Sequence, residues 1–192
     1  MPTTPSRGAR YGALNRTVIV AAARTIADRD GLGQLTLRRV AESLGTGQAS
    51  IYRHVSGRDE LIAALCEDLA AGFPLVTDQR SPRTAALRQW EAIHRYLTEH
   101  PWGAPAIAAG DTVAVSGERL AAHATAQLRR LGLTGRDAAR AYRVLWQLLL
   151  GHLLNAHPLG HGADHPRAGD ESDFRWALRH LLDAFAGTPR RH

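Results

Sequence analysis

Residues 36–61 read TLRRVAESLGTGQASIYRHVSGRDEL. Leu37, Val40, Ala41 and Leu44 recur at helical spacing, with Arg38, Arg39, Glu42 and Ser43 on the opposite face, so the stretch begins as a two-turn amphipathic helix. Thr36 is placed to cap it. Gly45 follows where a helix end needs a residue tolerant of positive φ. A second helix is expected from Gln48 to His54. At 1.5 Å per residue it would be about 10 Å long, too short to persist alone, so Ile51 and Val55 must anchor it. Its outward residues, Gln48, Ser50, Tyr52, Arg53 and His54, are dense in donors and acceptors. Ser56 and Asp59 then form an S-x-x-D capping box opening a third helix to about Ala71, with Leu61, Leu65 and Leu69 inward.

A helix, a tight glycine turn and a short polar helix make a helix-turn-helix, whose second helix enters the major groove of DNA. The stretch resembles the DNA-binding head of the TetR family of bacterial transcriptional regulators. That resemblance rests on Thr36, the Val40-Ala41 pair, Leu44-Gly45, the run Ile51-Tyr52-Arg53-His54-Val55, and Arg58 with Glu60-Leu61, and it covers about residues 14 to 70. Two positions depart from the family pattern: Arg58 stands where lysine is usual, and Ser56-Gly57 replaces a more variable polar pair. On this reading Gln48, Ala49, Ser50, Tyr52, Arg53 and His54 meet DNA, with Thr36, Arg38 and Arg58 mainly on phosphates. A phosphate role for Arg58 predicts that Arg58→Ala weakens all sequences alike and flattens the salt dependence.

Charge agrees with a polyanionic partner. The 192-residue chain carries a formal +6, and residues 1–60 hold nine arginines against five acidic residues, while residues 61–192 hold fifteen against thirteen. The chain contains no lysine, so arginine is also its generic surface cation. Cys66 is the single cysteine, which excludes an intramolecular disulfide and a thiolate metal cluster. The N-terminus lacks the apolar core of a signal peptide, and the apolar run at 144–154 is broken by Gln147, Gly151 and His152, so a soluble cytoplasmic protein is expected.

Residues 1–13, with two prolines, two glycines, Arg7 and Arg10, are expected to be a flexible basic arm, placed either to lie in the minor groove or to do nothing. Asn15 should cap a helix to about Asp30 with Leu14, Val18, Ala22 and Ile26 inward. Beyond the third helix, Ser81-Pro82 opens a helix to about Glu99 with Leu87, Trp90, Ile93, His94 and Leu97 as its stripe. A kinked segment follows at 100–105, with a short alanine-rich piece after it. A helix from about Ser116 to Gly132 carries Leu120, Ala124, Leu128 and Leu131. Thr134 with Asp137 opens another to about His157, apolar on more than one face; a last helix runs from about Ser172 to Ala186. No strand-period segment or internal repeat appears. The expected fold is therefore all-α, about nine helices: a three-helix DNA-binding head at 14–57, a connecting helix at 58–71, and a ligand-binding and dimerisation body at 72–188.

Polar residues stand on apolar faces of the body at His94, His123, Gln147, His152 and Asn155, and the candidate ligand contacts are Trp90, His94, Trp102, His123, Trp146 and Gln147 around a small, largely apolar or aromatic effector. The bland reading makes each a satisfied core residue. The resemblance adds that family members typically bind a small molecule in this region. His157, His161 and His165 are spaced by four, but the intervening prolines and glycines forbid the helix that would align them, so no metal site is expected. No nucleophile elbow, phosphate loop or paired-carboxylate motif is present; neither enzyme activity nor a cofactor is expected. The favoured function is a ligand-responsive transcriptional regulator, a homodimeric repressor released from its operator by a small molecule, dimerising through the last two helices. Leu182→Arg is expected to dissociate that dimer. The alternative is an all-α ligand-binding or catalytic protein whose basic helix pair serves another partner.

Overall fold

Asn15 accepts the Val18 N–H at 3.0 Å and starts α1, Arg16–Asp30, which ends at Gly31 with φ of 79°. Described in this computed structural model are residues 14–77, 81–112, 114–155 and 171–187; the arm at 1–13 and the loop bearing His157, His161 and His165 lie outside them. The described elements are nine α-helices and one 3-10 turn, with no strand among them. They divide into two compact units between Asp68 and Leu69, inside α4, Arg58–Ala71.

In the first unit, α1 buries Ile19, Val20, Ala23, Ile26 and Ala27. The expected stripe of Leu14, Val18 and Ala22 is thus displaced by one residue, because a helix reading VIVAAA offers two apolar stripes and packing chose the one bearing Ile19 and Ala23. The other stripe is not idle surface. Val18, Ala21, Ala22 and Thr25, with Ser43 and Leu44, line a groove of about 430 Å³.

The 3-10 turn Leu32–Gln34 leads into α2, Leu37–Ser43, whose N-cap Thr36 accepts the Arg39 N–H at 3.2 Å. The glycine after it does what the sequence requires: Gly45 takes φ of 63°, Thr46 N–H reaches the Ala41 carbonyl at 3.0 Å and Gly45 N–H the Glu42 carbonyl at 3.1 Å, the paired bonds of a Schellman end. Helix α3 is shorter than expected, Gln48–Tyr52. Ile51 and Val55, 0% and 1% exposed, hold it down from beneath. The start of α4 also differs: Ser56 engages Glu60 rather than Asp59, donating its N–H at 2.7 Å and its hydroxyl at 2.8 Å to one carboxylate oxygen. The helix begins two residues after Ser56, so the carboxylate within reach is one position further on.

The second unit contains α5, Pro82–Glu99; α6, Gly103–Ala109; α7, Gly117–Arg130; α8, Gly135–Leu154; and α9, Glu171–Ala186. Ser81 caps α5 by accepting from Thr84 N–H, with Pro82 in the first turn where a missing N–H is harmless. Thr134 caps α8 through Asp137 N–H, and its hydroxyl donates to the Asp137 carboxylate at 2.8 Å. Helix α5 packs on α7, α8 and α9, and α8 also on α6, α7 and α9. Trp90, Ile93, Leu97, Leu120, Leu128, Leu145, Leu149, Phe174, Leu178 and Leu182 fill the space between them, each at most 2% exposed. A Cβ at Gly103 would stand 2.9 Å from the Leu69 side chain and 3.0 Å from that of Leu97, so one of these buried leucines would have to move to admit it. Helix α8 is not buried all round, since Leu154 is 43% exposed, and on α9 Trp176 is 64% exposed.

Candidate nucleic-acid interface

The first unit presents its polar side chains from α2, α3 and the start of α4. Gln48, Ala49, Tyr52 and Arg53 are exposed, and Ser50 and His54 are half-buried at the edge of the same short helix. Their mutual contacts are weak: Gln48 Nε2 lies 3.5 Å from the Tyr52 hydroxyl, and Arg53 donates to Ser50 Oγ at 3.2 Å. Both are exchanges that a base edge or a phosphate oxygen could replace at little cost. Thr36 is exposed with its Oγ1 accepting from Arg39 N–H, which leaves its hydroxyl hydrogen for another acceptor. Arg38 is exposed and paired with Glu42 at 2.8 Å, one helical turn on.

The ion pairs of this unit decide where positive charge is available. Residues 14–68 hold seven arginines and seven acidic residues, so this stretch is neutral in sum, and the net positive charge of the first unit comes from Arg7 and Arg10. Arg16 pairs with Glu60, Arg24 with Asp68, Arg29 and Arg39 with Asp30, and Arg38 with Glu42. The Ser56 N–H and hydroxyl, with Arg16, hold the Glu60 carboxyl down at about 2, and Arg29 and Arg39 bring Asp30 to about 2. Arg53 and Arg58 have no carboxylate in these ion pairs. Arg58, however, donates from Nε to the Leu35 carbonyl at 3.0 Å and from Nη2 to the Leu32 carbonyl at 2.8 Å. Nothing in residues 36–61 read alone signals those acceptors, which lie on the preceding turn.

In the second unit the residues expected around an effector divide into separate clusters. Trp90 and Trp146 meet edge to face at 5.7 Å, joined by Tyr142 and Phe73, two rings that sequence reasoning does not select. His94 stacks on Phe174 at 4.7 Å with His152 5.1 Å away. Burial, then the neighbouring His152, holds the His94 imidazole below its ordinary value, and its Nε2 is buried without a hydrogen-bond partner among the described residues. Trp102 is buried beside His100. His123 Nε2 and Gln127 Nε2 converge on the Val76 carbonyl at 2.9 and 2.7 Å, while Gln89 takes the Val76 N–H at 2.8 Å and donates to the Pro74 carbonyl at 2.7 Å. Those three side chains satisfy the irregular backbone at 74–76, which accounts for the burial of Gln89 and Gln127; His123 is half-buried. Gln127 lies one helical turn beyond His123, a spacing that marks it in the sequence; Gln89 carries no such signal. The Gln127 Oε1 atom remains buried without a partner among the described residues. Gln147 is exposed on α8 and joins none of these clusters.

No group of three or more metal-binding side chains assembles among the described residues, and no described helix is long and apolar enough to cross a membrane. Burial pushes the Cys66 thiol up, away from nucleophilic reactivity.

Comparison with known proteins matches this geometry. Residues 19–65 fit the family model described as bacterial regulatory proteins, tetR family. The chain is 37% identical over 103 residues to the HTH-type transcriptional repressor DrrR1 of Streptomyces coeruleorubidus, a match covering 51% of this chain and 37% of that protein, so it spans well under half of that relative's length. It is 32% identical over 158 residues to the uncharacterized HTH-type transcriptional regulator Rv0681 of Mycobacterium tuberculosis, covering 76% of this chain and 72% of the relative. Among solved structures, the Streptomyces coelicolor TetR family protein ActR in complex with (S)-DNPA superposes with a TM-score of 0.71 over 93% of this chain and 100% of that one; at 24% identity this is a likeness of fold. With the capped α2, the Schellman turn at Gly45, the short α3 anchored by Ile51 and Val55, and a relative matched over most of both chains, the protein belongs to the TetR family of bacterial transcriptional regulators.

Proposed function

We propose that this protein is a homodimeric transcriptional repressor that binds operator DNA through α3 and is released when a small molecule enters its helical body. The observation that carries the reading is the construction of α3: a five-residue helix held from beneath by two fully buried side chains, with Gln48, Ala49, Ser50, Tyr52, Arg53 and His54 along its outer side and edge. A helix this short has no stability of its own, so its polar face is maintained by the core for contact with something else. Gln48 suits adenine and Arg53 suits guanine in the major groove, while Thr36 and Arg38 serve phosphates, Arg38 by giving up an exposed ion pair worth little. The repressor sense follows the description of DrrR1, and the effector follows the ligand complex of ActR.

Support for an effector within the body comes from two atoms that are buried and unpartnered among the described residues, His94 Nε2, on an imidazole stacked on Phe174, and Gln127 Oε1, on the side chain beside His123. Trp90, Trp102, Trp146 and His123 belong to the same proposal; Gln147, exposed in the single chain, contributes only if the body rearranges or a partner subunit covers it.

Fluorescence anisotropy with a labelled duplex from the region flanking the protein's own gene, against a random duplex of equal length, tests the reading. Binding is expected at least ~10³-fold tighter to the former. Gln48→Ala should cost about 1 to 3 kcal/mol on that duplex and little on the random one. Equal affinity of the wild type for both would remove the regulator reading.

A further inference from the structure

Arg58 opens α4, but its guanidinium is turned back onto the chain. Its Nε donates to the Leu35 carbonyl at 3.0 Å and its Nη2 to the Leu32 carbonyl at 2.8 Å, the two ends of the bend that precedes α2. The Leu32 carbonyl also receives the Leu35 N–H at 3.1 Å, closing the bend on itself. A second guanidinium completes the grip: Arg39 Nη1 donates to the Gln34 carbonyl at 3.1 Å while its Nη2 pairs with Asp30. The carbonyls of residues 32, 34 and 35 are thus taken by one arginine from α2 and one from α4. Because Leu35 and Arg58 are 23 residues apart and everything between them is the helix-turn-helix, the Arg58 bonds tie the entrance of that motif to its exit.

We propose that Arg58 is a positioning residue and not a phosphate ligand: by locking the Leu32–Leu35 bend to the first turn of α4, it sets the orientation in which α2 and α3 are presented to DNA. The inference rests on the DNA-binding reading given above. It also accounts for arginine where the family resemblance leads one to expect lysine. A side-on grip on two carbonyls needs the planar edge formed by Nε and Nη2, with donors fixed at the spacing of the fork; a lysine ammonium supplies one point of charge and no such edge. The edge that would hold a phosphate side-on is the edge already occupied.

Three variants separate the roles: Arg58→Ala, Arg58→Lys and, as a contact control, Arg53→Ala. Each is titrated by anisotropy against the gene-flanking duplex and a random duplex from about 50 to 200 mM salt, well below its unfolding temperature. A lost phosphate contact lowers the slope of log K against log salt by about 0.9. For Arg58→Ala the slope is expected to stay at the wild-type value, with affinity for the specific duplex falling ~10-fold or more and for the random duplex far less. Arg58→Lys, which keeps the charge and loses the fork, is expected to behave like Arg58→Ala. A slope that drops in Arg58→Ala and returns in Arg58→Lys would overturn the proposal in favour of a phosphate ligand. Parallel loss on both duplexes would overturn it in favour of a general stability role. Amide hydrogen exchange across residues 31–37 in the DNA-free protein supplies an independent arm, with faster exchange expected in both Arg58 variants; unchanged exchange refutes the tether. If the wild type itself does not prefer its flanking DNA, the functional reading fails and takes the DNA consequence with it, while exchange still decides whether Arg58 holds the bend.

Discussion

Single ionisable groups in this chain have environments that set measurable pH windows. Glu60 is held at about 2, against an ordinary 4.5, by the Ser56 N–H and hydroxyl and by Arg16. A depressed carboxyl contributes stability that is complete above its unfolded value and is lost as pH falls toward the folded one. Glu60→Gln should therefore flatten the acid limb of unfolding between about pH 4.5 and about 2, read by circular dichroism. His94 runs in the same direction for a different cause. Burial keeps it neutral when folded, whereas the unfolded chain takes up a proton near 6.5, so its contribution is present above that value and declines below it. The groups facing it from the packed helices are His152 on α8 and Glu171 and Arg175 on α9; Glu171 alone favours the proton. Urea unfolding of His94→Phe, which preserves a ring against Phe174, should lose less stability than the wild type between about pH 7.5 and 5.5. An identical pH dependence in the two proteins would show that His94 is not the titrating group.

Element ends in this chain are governed by short-range chemistry, which is why most are legible in the sequence. Asn15, Thr36, Ser81 and Thr134 all cap the helices their positions announce. Thr36→Ala should cost about 1 kcal/mol of stability, as caps generally do. Gly45→Ala should cost a similar ~1 to 2 kcal/mol through its positive φ, since no neighbour lies within 4 Å of the added Cβ and only the backbone conformation resists. Thermal unfolding of the two variants measures both. Where the fold departs from the expectation, the deciding partner is not local. On α1 two stripes compete, and the winner depends on what α2 and the 3-10 turn bring to it. At Ser56 two carboxylates stand one residue apart, and the true helix start selects Glu60.

At the scale of the whole molecule, the surface left over by one chain is the main clue to assembly. Leu182 is fully buried within the unit, so Leu182→Arg would unfold the body rather than separate a pair of subunits, and it does not test dimerisation. The informative residues are Trp176 on α9, its ring tilted against that of His180 with centroids 4.1 Å apart, and Leu154 on α8, both large, apolar and exposed. If α8 and α9 pair with a second copy, burying of the order of 2,000 Å², then Trp176→Arg and Leu154→Arg should yield monomers in analytical ultracentrifugation while each chain stays folded. A wild type that sediments as a monomer at micromolar concentration would end the homodimer proposal.

The all-α class, the caps, the Gly45 turn and the polar face of α3 can all be derived from residue order, because each depends on neighbours within a turn or two of helix. The hydrogen bonds of Arg58 cannot: its acceptors lie 23 and 26 residues back, and nothing in the helix start that carries the guanidinium points to them. The same holds for the hydrogen bonds that His123, Gln127 and Gln89 make to the backbone at 74–76, on a segment 13 to 51 residues away in the chain. Periodicity reports which face of a helix is buried. It carries no information about which distant main-chain group a buried polar side chain will satisfy, because that pairing exists only once two helices and a loop have packed.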